Sequence, residues 1–237
     1  MKNNCFFSAL TSSHLVGFKV FCRSLLATNT WLKKSPIDFL MIPIDLTIEE
    51  QKECESLYPN IVWLKKLTPP ASLDLSRAQI GESAFYKIAA FSVFDYDLLI
   101  SIDCSDMLFT KDISELFDYD IPLGMVQGWT EFKKWQQFNG GLVLLNKHLR
   151  NQSTWEQILS QPVSKMYDQD IINNLLEEHI TSLPTKYNFT KRLVLNPEFK
   201  ISDASIIHYV GEKPWESYQE KFKYKKIEDL WFDYYHQ

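Results

Sequence analysis

The sequence predicts an α/β fold, a mixed central sheet flanked by helices. Short apolar runs of strand length alternate with longer segments of helical character, and polar or Pro-containing turns separate them. That alternation is regular in the first half, where it indicates parallel β-α-β units with right-handed crossovers. It is looser in the second half, where a mixed sheet is expected. Residues 4–10 read as the first strand. Thr11-Ser12-Ser13-His14 is a turn rich in helix-capping residues, followed by a largely apolar helix over 15–26. A second strand spans 37–44. A helix over 45–58 carries acids in its first turn, where they complement the dipole. Residues 61–64 form a third short strand, and Thr68-Pro69-Pro70 opens an irregular stretch. Residues 79–94 read as helix, 98–102 as strand and 112–117 as a short helix. Strands at 123–127 and 141–146 and helices at 153–159 and 169–178 follow.

Composition narrows the function. There is no internal repeat, low-complexity stretch or linker in the 237 residues, so one domain over 1–237 is expected, with 216–237 as a basic, aromatic tail. The net charge of -5 argues against a nucleic-acid partner, which would need a basic face. No apolar run approaches the ~18 residues of a membrane span. The N-terminus, Met1 to Phe7, reads as a first strand and not as a signal peptide. The four cysteines, Cys5, Cys22, Cys54 and Cys104, lack zinc spacing and are expected to be reduced, which suits a cytoplasmic protein.

The stretch Asp97 to Phe109 carries the chemistry. Leu98 to Ile102 is an apolar run too short for a helix, and it delivers Asp103 and Asp106 to the end of a strand. Ligands in open α/β sheets bind outside those strand ends. Two carboxylates there repel each other unless a cation lies between them, and oxygen donors suit Mg²⁺ or Mn²⁺. A solvated acidic turn is the plain alternative. Three further segments stand out. "QFNGGLVLLN" (137–146) puts Asn139, Gly140 and Gly141 before a strand. "YDQDIIN" (167–173) is an acidic, amide-rich helix start. "IIHYVGEKPW" (206–215) ends a strand with His208, then offers Gly211 and Lys213.

Together and in this order, these segments resemble the retaining glycosyltransferases of family 8, the glycogenin and lipopolysaccharide galactosyltransferase group, over residues 4–216. The resemblance implies the GT-A fold, a Rossmann-like nucleotide-diphospho-sugar transferase fold. It implies Mn²⁺ or Mg²⁺ at Asp103, Asp106 and His208. It implies donor contacts from Thr11, Lys87, Asn139 and Gly140, with Gly211 and Lys213 on the diphosphate. Asp168 and Gln169 fall beside the transferred sugar as the catalytic pair. The acid pair is D-x-x-D, one residue longer than the usual D-x-D, with Cys104 in the literal place of the first acid. The loop Ser12 to Leu15 lacks the Asp and Tyr many members carry near the base, and Leu15 falls where an aromatic would stack. Each residue has a plainer reading: a structural histidine for 208, a solvated helix lysine for 87, a helix cap for Asp168 or Asp170, a tight strand entry for the glycines, packing for Trp215.

The implied reaction is transfer of a hexose from a UDP-sugar, UDP-glucose or UDP-galactose, to a glycan, lipid-linked or protein acceptor. An amide is a poor nucleophile, so Gln169 favours front-face attack over the covalent route of retaining glycosidases. Rival readings are a sugar-nucleotide hydrolase or nucleotidyltransferase, and a catalytically weak GT-A module that binds a glycan or protein partner. Acceptor recognition is expected in loops 66–76 and 129–136. The tail's lysines and aromatics suit peripheral contact with the inner membrane surface. Packing against the domain, with the lysines in water, is the other expectation.

Overall fold

The computed structural model describes residues 3–78, 82–217 and 221–237. The predicted start of a helix at Gln79 and residues 218–220 of the tail lie outside these residues.

Strands β1 (Asn4–Leu10), β2 (Asp38–Pro43), β3 (Ile61–Trp63) and β4 (Leu98–Ile102) pair in parallel. They alternate with helices α1 (Leu15–Thr28), α2 (Ile48–Leu57) and α3 (Glu82–Ile88). β5 (Met107–Phe109) then leaves the main sheet. β6 (Leu123–Trp129) and β7 (Lys134–Asn146) form a long hairpin. α4 (Gln152–Leu159) and α5 (Tyr167–Leu175) follow, then β8 (Ile180–Leu183), β9 (Phe189–Thr190), β10 (Ile206–His208) and α6 (Lys225–Tyr235). The seven-stranded sheet has the order β3-β2-β1-β4-β7-β6-β8, and β5-β10-β9 make a three-stranded sheet. β7 runs antiparallel to β4 and β6, so the sheet is mixed in its second half.

Period-two alternation splits the core. On β1, Phe6 joins Phe18 and Phe21 of α1 and Cys54 of α2, while Phe7 joins Phe85 of α3 and Ile171 of α5 on the opposite face. Chain reversal therefore falls at β1 and β4: one crossover leaves on the α1 side and the other returns on the α3 side. That is a topological switch point, and it opens a crevice at the carboxyl ends of β1 and β4.

Local chemistry accounts for the element bounds. α2 begins at Ile48 because Thr47 and Glu50 form a capping box, Glu50 N–H donating to Thr47 and Thr47 N–H to Glu50. α3 stops at Ile88 and passes into a 3₁₀ turn over Ala89–Ser92, so the predicted long helix is shorter than expected. The short helix expected over 112–117 is a 3₁₀ turn over Ser114–Asp118. The tail is not a loose appendage. α6 buries Ile227 and Trp231 with Val20 and Leu108, and Arg23 donates to the carbonyls of Tyr234 and Tyr235. Phe222 and Tyr235 stay exposed. Among the described residues no helix is long and apolar enough to cross a membrane.

Candidate functional site

A cavity of about 400 Å³ lies at the switch point. The ends of β1 and β4, the start of the core segment of β7, the first turn of α5 and the strap after β10 surround it. All eleven residues singled out in the sequence line it: Thr11, Lys87, Asp103, Asp106, Asn139, Gly140, Asp168, Gln169, His208, Gly211 and Lys213.

Asp103 follows β4 directly, and its N–H donates to Gly141 O at 2.9 Å, extending the ladder by one residue. The chain turns through Cys104 and Ser105 and enters β5, which pairs with β10 so that Met107 faces His208. Tyr209 N–H donates to Asp106 O at 2.8 Å. One ligand atom each from Asp103, Asp106 and His208 lies within 4.8 Å of the others. His208 Nε2 is 3.7 Å from Asp103 Oδ2 and 3.5 Å from Asp106 Oδ2. Two carboxylates and an imidazole are ligands that can hold a divalent cation, and the buried Asp106 Oδ1 has no hydrogen-bond partner. These residues fit a divalent cation.

Two ammonium groups balance the acids. Lys87 Nζ lies 3.0 Å from Asp103 Oδ1 and 2.9 Å from Asp168 Oδ2. Lys213 Nζ lies 2.5 Å from Asp106 Oδ2. Burial works against every charge here, and the partners decide the outcome. For Asp103, burial prevails and raises its pKa, with Asp106 adding to the effect against Lys87 and His208. For Asp106, burial is outweighed by Lys213 and His208, and its pKa is held well below the usual carboxylate range. For Lys87, burial is outweighed by Asp103 and Asp168, and its pKa is raised.

On the far wall, Gly140 N–H donates to Gln169 Oε1 at 3.1 Å, and Asn139 Nδ2 lies 3.4 Å from the same oxygen. Asp168 and Asp170 stand in the first turn of α5, but neither caps it. Asp168 faces Lys87, and Asp170 accepts from Ser164 and Gln137.

The model of glycosyl transferase family 8 matches residues 5–219. The chain belongs to this family. Among curated relatives, the human xylosyl- and glucuronyltransferase LARGE2 is 24% identical over 193 residues, covering 67% of this chain and 26% of that protein. The glycosyltransferase GlyE of Streptococcus pneumoniae is 26% identical over 157 residues, 58% of this chain and 37% of that protein. The chain thus spans well under half the length of both. The apo structure of GlyE superposes with a TM-score of 0.74 at 17% identity, over 100% of this chain and 61% of that one. The galactosyltransferase LgtC, solved with donor and acceptor sugar analogues, gives 0.67 at 17% identity, over 97% and 95%. These likenesses establish the GT-A fold for this family 8 chain.

Three contributors in this family 8 member, His14, Gly17 and Asn188, were not singled out from its sequence, and Gly141 was seen only as half of a glycine pair. Leu15 does not reach the cavity; it is buried in the core, and His14 lines the cavity instead, its Nδ1 2.9 Å from Thr11 Oγ1 and its ring edge-on to Trp215. Gly141 matters more for space than Gly140. A Cβ there would lie 2.4 Å from His208 Cε1, whereas one on Gly140 meets nothing closer than 3.5 Å. Gly17 lets α1 pass against the acid turn; its Cβ would fall 1.8 Å from Ser105 O. Asn188 bonds both His208 and Asn139. No sequence motif marks Asn188 or Gly17. The Gly-Gly pair was visible, but which glycine is sterically required is decided by β10, 67 residues further on.

Proposed function

We propose that the chain is a retaining glycosyltransferase that moves a hexose from UDP-glucose or UDP-galactose to a hydroxyl of a glycan, lipid-linked or protein acceptor. The observation that carries this reading is the convergence of Asp103, Asp106, His208, Lys87 and Lys213 on one cavity at the switch point. Opposed charges of that density suit a diphosphate and its counter-ion.

Asp103, Asp106 and His208 would hold Mn²⁺ or Mg²⁺, which supplies Lewis-acid neutralisation of the departing diphosphate. Lys213 adds a fixed positive charge to the same leaving group. Lys87 holds Asp168 and Asp103 in register, and Asp168 and Asn139 orient the sugar through its hydroxyls. The acceptor oxygen bonds to C1 as the C1–O bond to the diphosphate breaks. The electron pair leaves with the diphosphate, whose oxygen takes the acceptor's proton. Front-face attack is favoured because the candidate nucleophiles are engaged. Gln169 Oε1 already accepts from Gly140 N–H, Asp170 from Ser164 and Gln137, and Asp168 pairs with Lys87. A glycosyl adduct trapped on Asp168 would overturn it.

Calorimetric titration of UDP-glucose and UDP-galactose, with and without Mn²⁺, into wild type and Asp106→Ala tests the site. Binding that needs Mn²⁺ and is lost in the variant supports it; metal-independent binding of equal strength in both proteins refutes it. Release of UDP only when an acceptor is present separates transfer from hydrolysis. The exposed Phe222, between Lys221 and Lys223, supports peripheral membrane contact at this end, which co-sedimentation with anionic vesicles checks.

A further inference from the structure

Behind the Asp103–Asp106–His208 cluster runs a short relay of two side-chain amides, Asn188 buried and Asn139 half-buried, whose sense is fixed by one backbone group. Gly141 N–H donates to the Asn139 side chain at 3.0 Å. A backbone N–H can only donate, so the receiving atom is Oδ1. The same oxygen lies 2.7 Å from the Asn188 amide, which must therefore present Nδ2 to it. The other end of that amide, Oδ1, is then the atom 2.8 Å from His208 Nδ1. An amide oxygen can only accept, so Nδ1 carries the proton. In the neutral ring Nε2 is left as a lone pair, and it is Nε2 that faces Asp103 and Asp106.

Asn188 is 2% exposed and His208 4%, so the contact between them is buried. The contact follows from topology. Asn188 closes the 3₁₀ turn Thr185–Asn188 and leads into β9, which pairs in parallel with β10 so that Thr190 lies beside His208. A lone pair aimed at two carboxylates would be repelled by them unless a cation stood between.

We propose that Asn188 is a positioning residue: it fixes His208 as the Nδ1–H tautomer and so presents Nε2 to the cation that Asp103 and Asp106 would hold. The cation part rests on the reading under Proposed function; the tautomer does not. The relay also ties two parts of the cavity lining together, because Asn139 begins it, His208 ends it and both line the cavity.

The test is long-range ¹H–¹⁵N correlation on the imidazole nitrogens of the metal-free protein, at a pH where His208 is neutral, with His208→Gln to assign its signals among the five histidines. The expected pattern is a protonated Nδ1 and a bare Nε2; an Nε2–H ring overturns the proposal. Asn188→Leu, which keeps the shape and removes the acceptor, should lose the single tautomer and bind Mn²⁺ about 10–100-fold more weakly by calorimetry. Asn188→Asp, which keeps an acceptor oxygen, should retain the Nδ1–H form. A folded Asn188→Leu with an unchanged tautomer and wild-type Mn²⁺ affinity also overturns it. Should Asn188→Leu not fold, the wild-type spectrum decides. A wild type that takes up no Mn²⁺ sinks the cation reading, while the nitrogen signals still judge the relay.

Discussion

Gly141 and His208 stand in a relation that only a missing side chain permits: a Cβ on Gly141 would lie 2.4 Å from His208 Cε1 and 2.6 Å from Nδ1. The imidazole thus rests on the backbone of the strand that carries Asn139, and Asp103 N–H donates to the carbonyl of the same glycine.

Gly141→Ala is therefore expected to displace the imidazole or push β10 from β7. Overpacking of this kind costs about 1–3 kcal/mol, and Mn²⁺-dependent nucleotide-sugar binding should fall at least tenfold. Gly140→Ala meets only ordinary contacts and should leave the melting temperature near wild type. Thermal denaturation and calorimetry of the two variants side by side check this, and equal effects would contradict it.

Gly17→Ala probes the acid turn from behind. The added methyl would fall 1.8 Å from Ser105 O and 2.7 Å from Trp215 Cη2, so either α1 backs away or the turn moves. Alanine raises helix propensity by about 1 kcal/mol over glycine, so a variant less stable than wild type must owe its loss to that clash. The expected outcome is a lower melting temperature together with weakened Mn²⁺ binding, although residue 17 does not line the cavity. A stabilised variant with normal Mn²⁺ affinity would contradict it.

How much of this was legible depended on whether a feature is local. β4 was read to the residue because a five-residue run buried along its whole length has no polar face to blur its ends. Nine of the eleven singled-out residues sit in four short segments, each with its own signature, and Thr11 and Lys87 stand outside them. β7 was seen only from Gly141, because Lys134 to Gln137 alternates exposed and half-buried positions, with Trp135 its one large apolar residue, and takes its order from pairing with β6. β8 has four residues, the middle two polar and exposed, and is held by β6, and β9 has two residues. α6 looked like a basic tail because its buried stripe, Ile227 and Trp231, is thin and needs Val20 and Leu108 to complete a core. Gly17 and Asn188 matter through what packs against them, which no spacing along the chain encodes.

Trp231 should hold the strap that carries Lys213. Its ring lies 5.4 Å from that of Trp215, and it is fully buried. Trp231→Ala is expected to cost about 3–5 kcal/mol and to weaken UDP binding as Trp215 loses its support. Trp231→Phe should recover most of both. Calorimetric UDP titration with a thermal melt checks this; UDP affinity untouched in a folded Trp231→Ala would detach the strap from α6.

Lys213 gives a prediction of opposite signs for two ligands. Its ammonium sits on Asp106 Oδ2, the oxygen that also faces His208. Lys213→Met frees that carboxylate, so Mn²⁺ alone should bind more tightly than to wild type, because no cation has to be displaced. The UDP-sugar should bind more weakly, because the diphosphate loses its positive partner. Stability at neutral pH should fall by no more than about 3 kcal/mol, the low end for breaking a buried pair, since Lys213 is 16% exposed. The pH dependence follows from Asp106. Its folded-state pKa lies below the unfolded value of about 4, so its ionised form adds stability above that pH, which is lost as pH falls through the folded pKa. Without Lys213 that depression shrinks, so the gap in stability between wild type and variant should close on acidification below about pH 4. Asp103, whose pKa moves the other way, is common to both proteins, so the difference reports on the Asp106 pair. Chemical denaturation of both proteins from neutral to acid pH, with Mn²⁺ and UDP titrations at neutral pH, measures all three. Weaker Mn²⁺ binding in Lys213→Met would show that the lysine supports the acid cluster instead of competing for it.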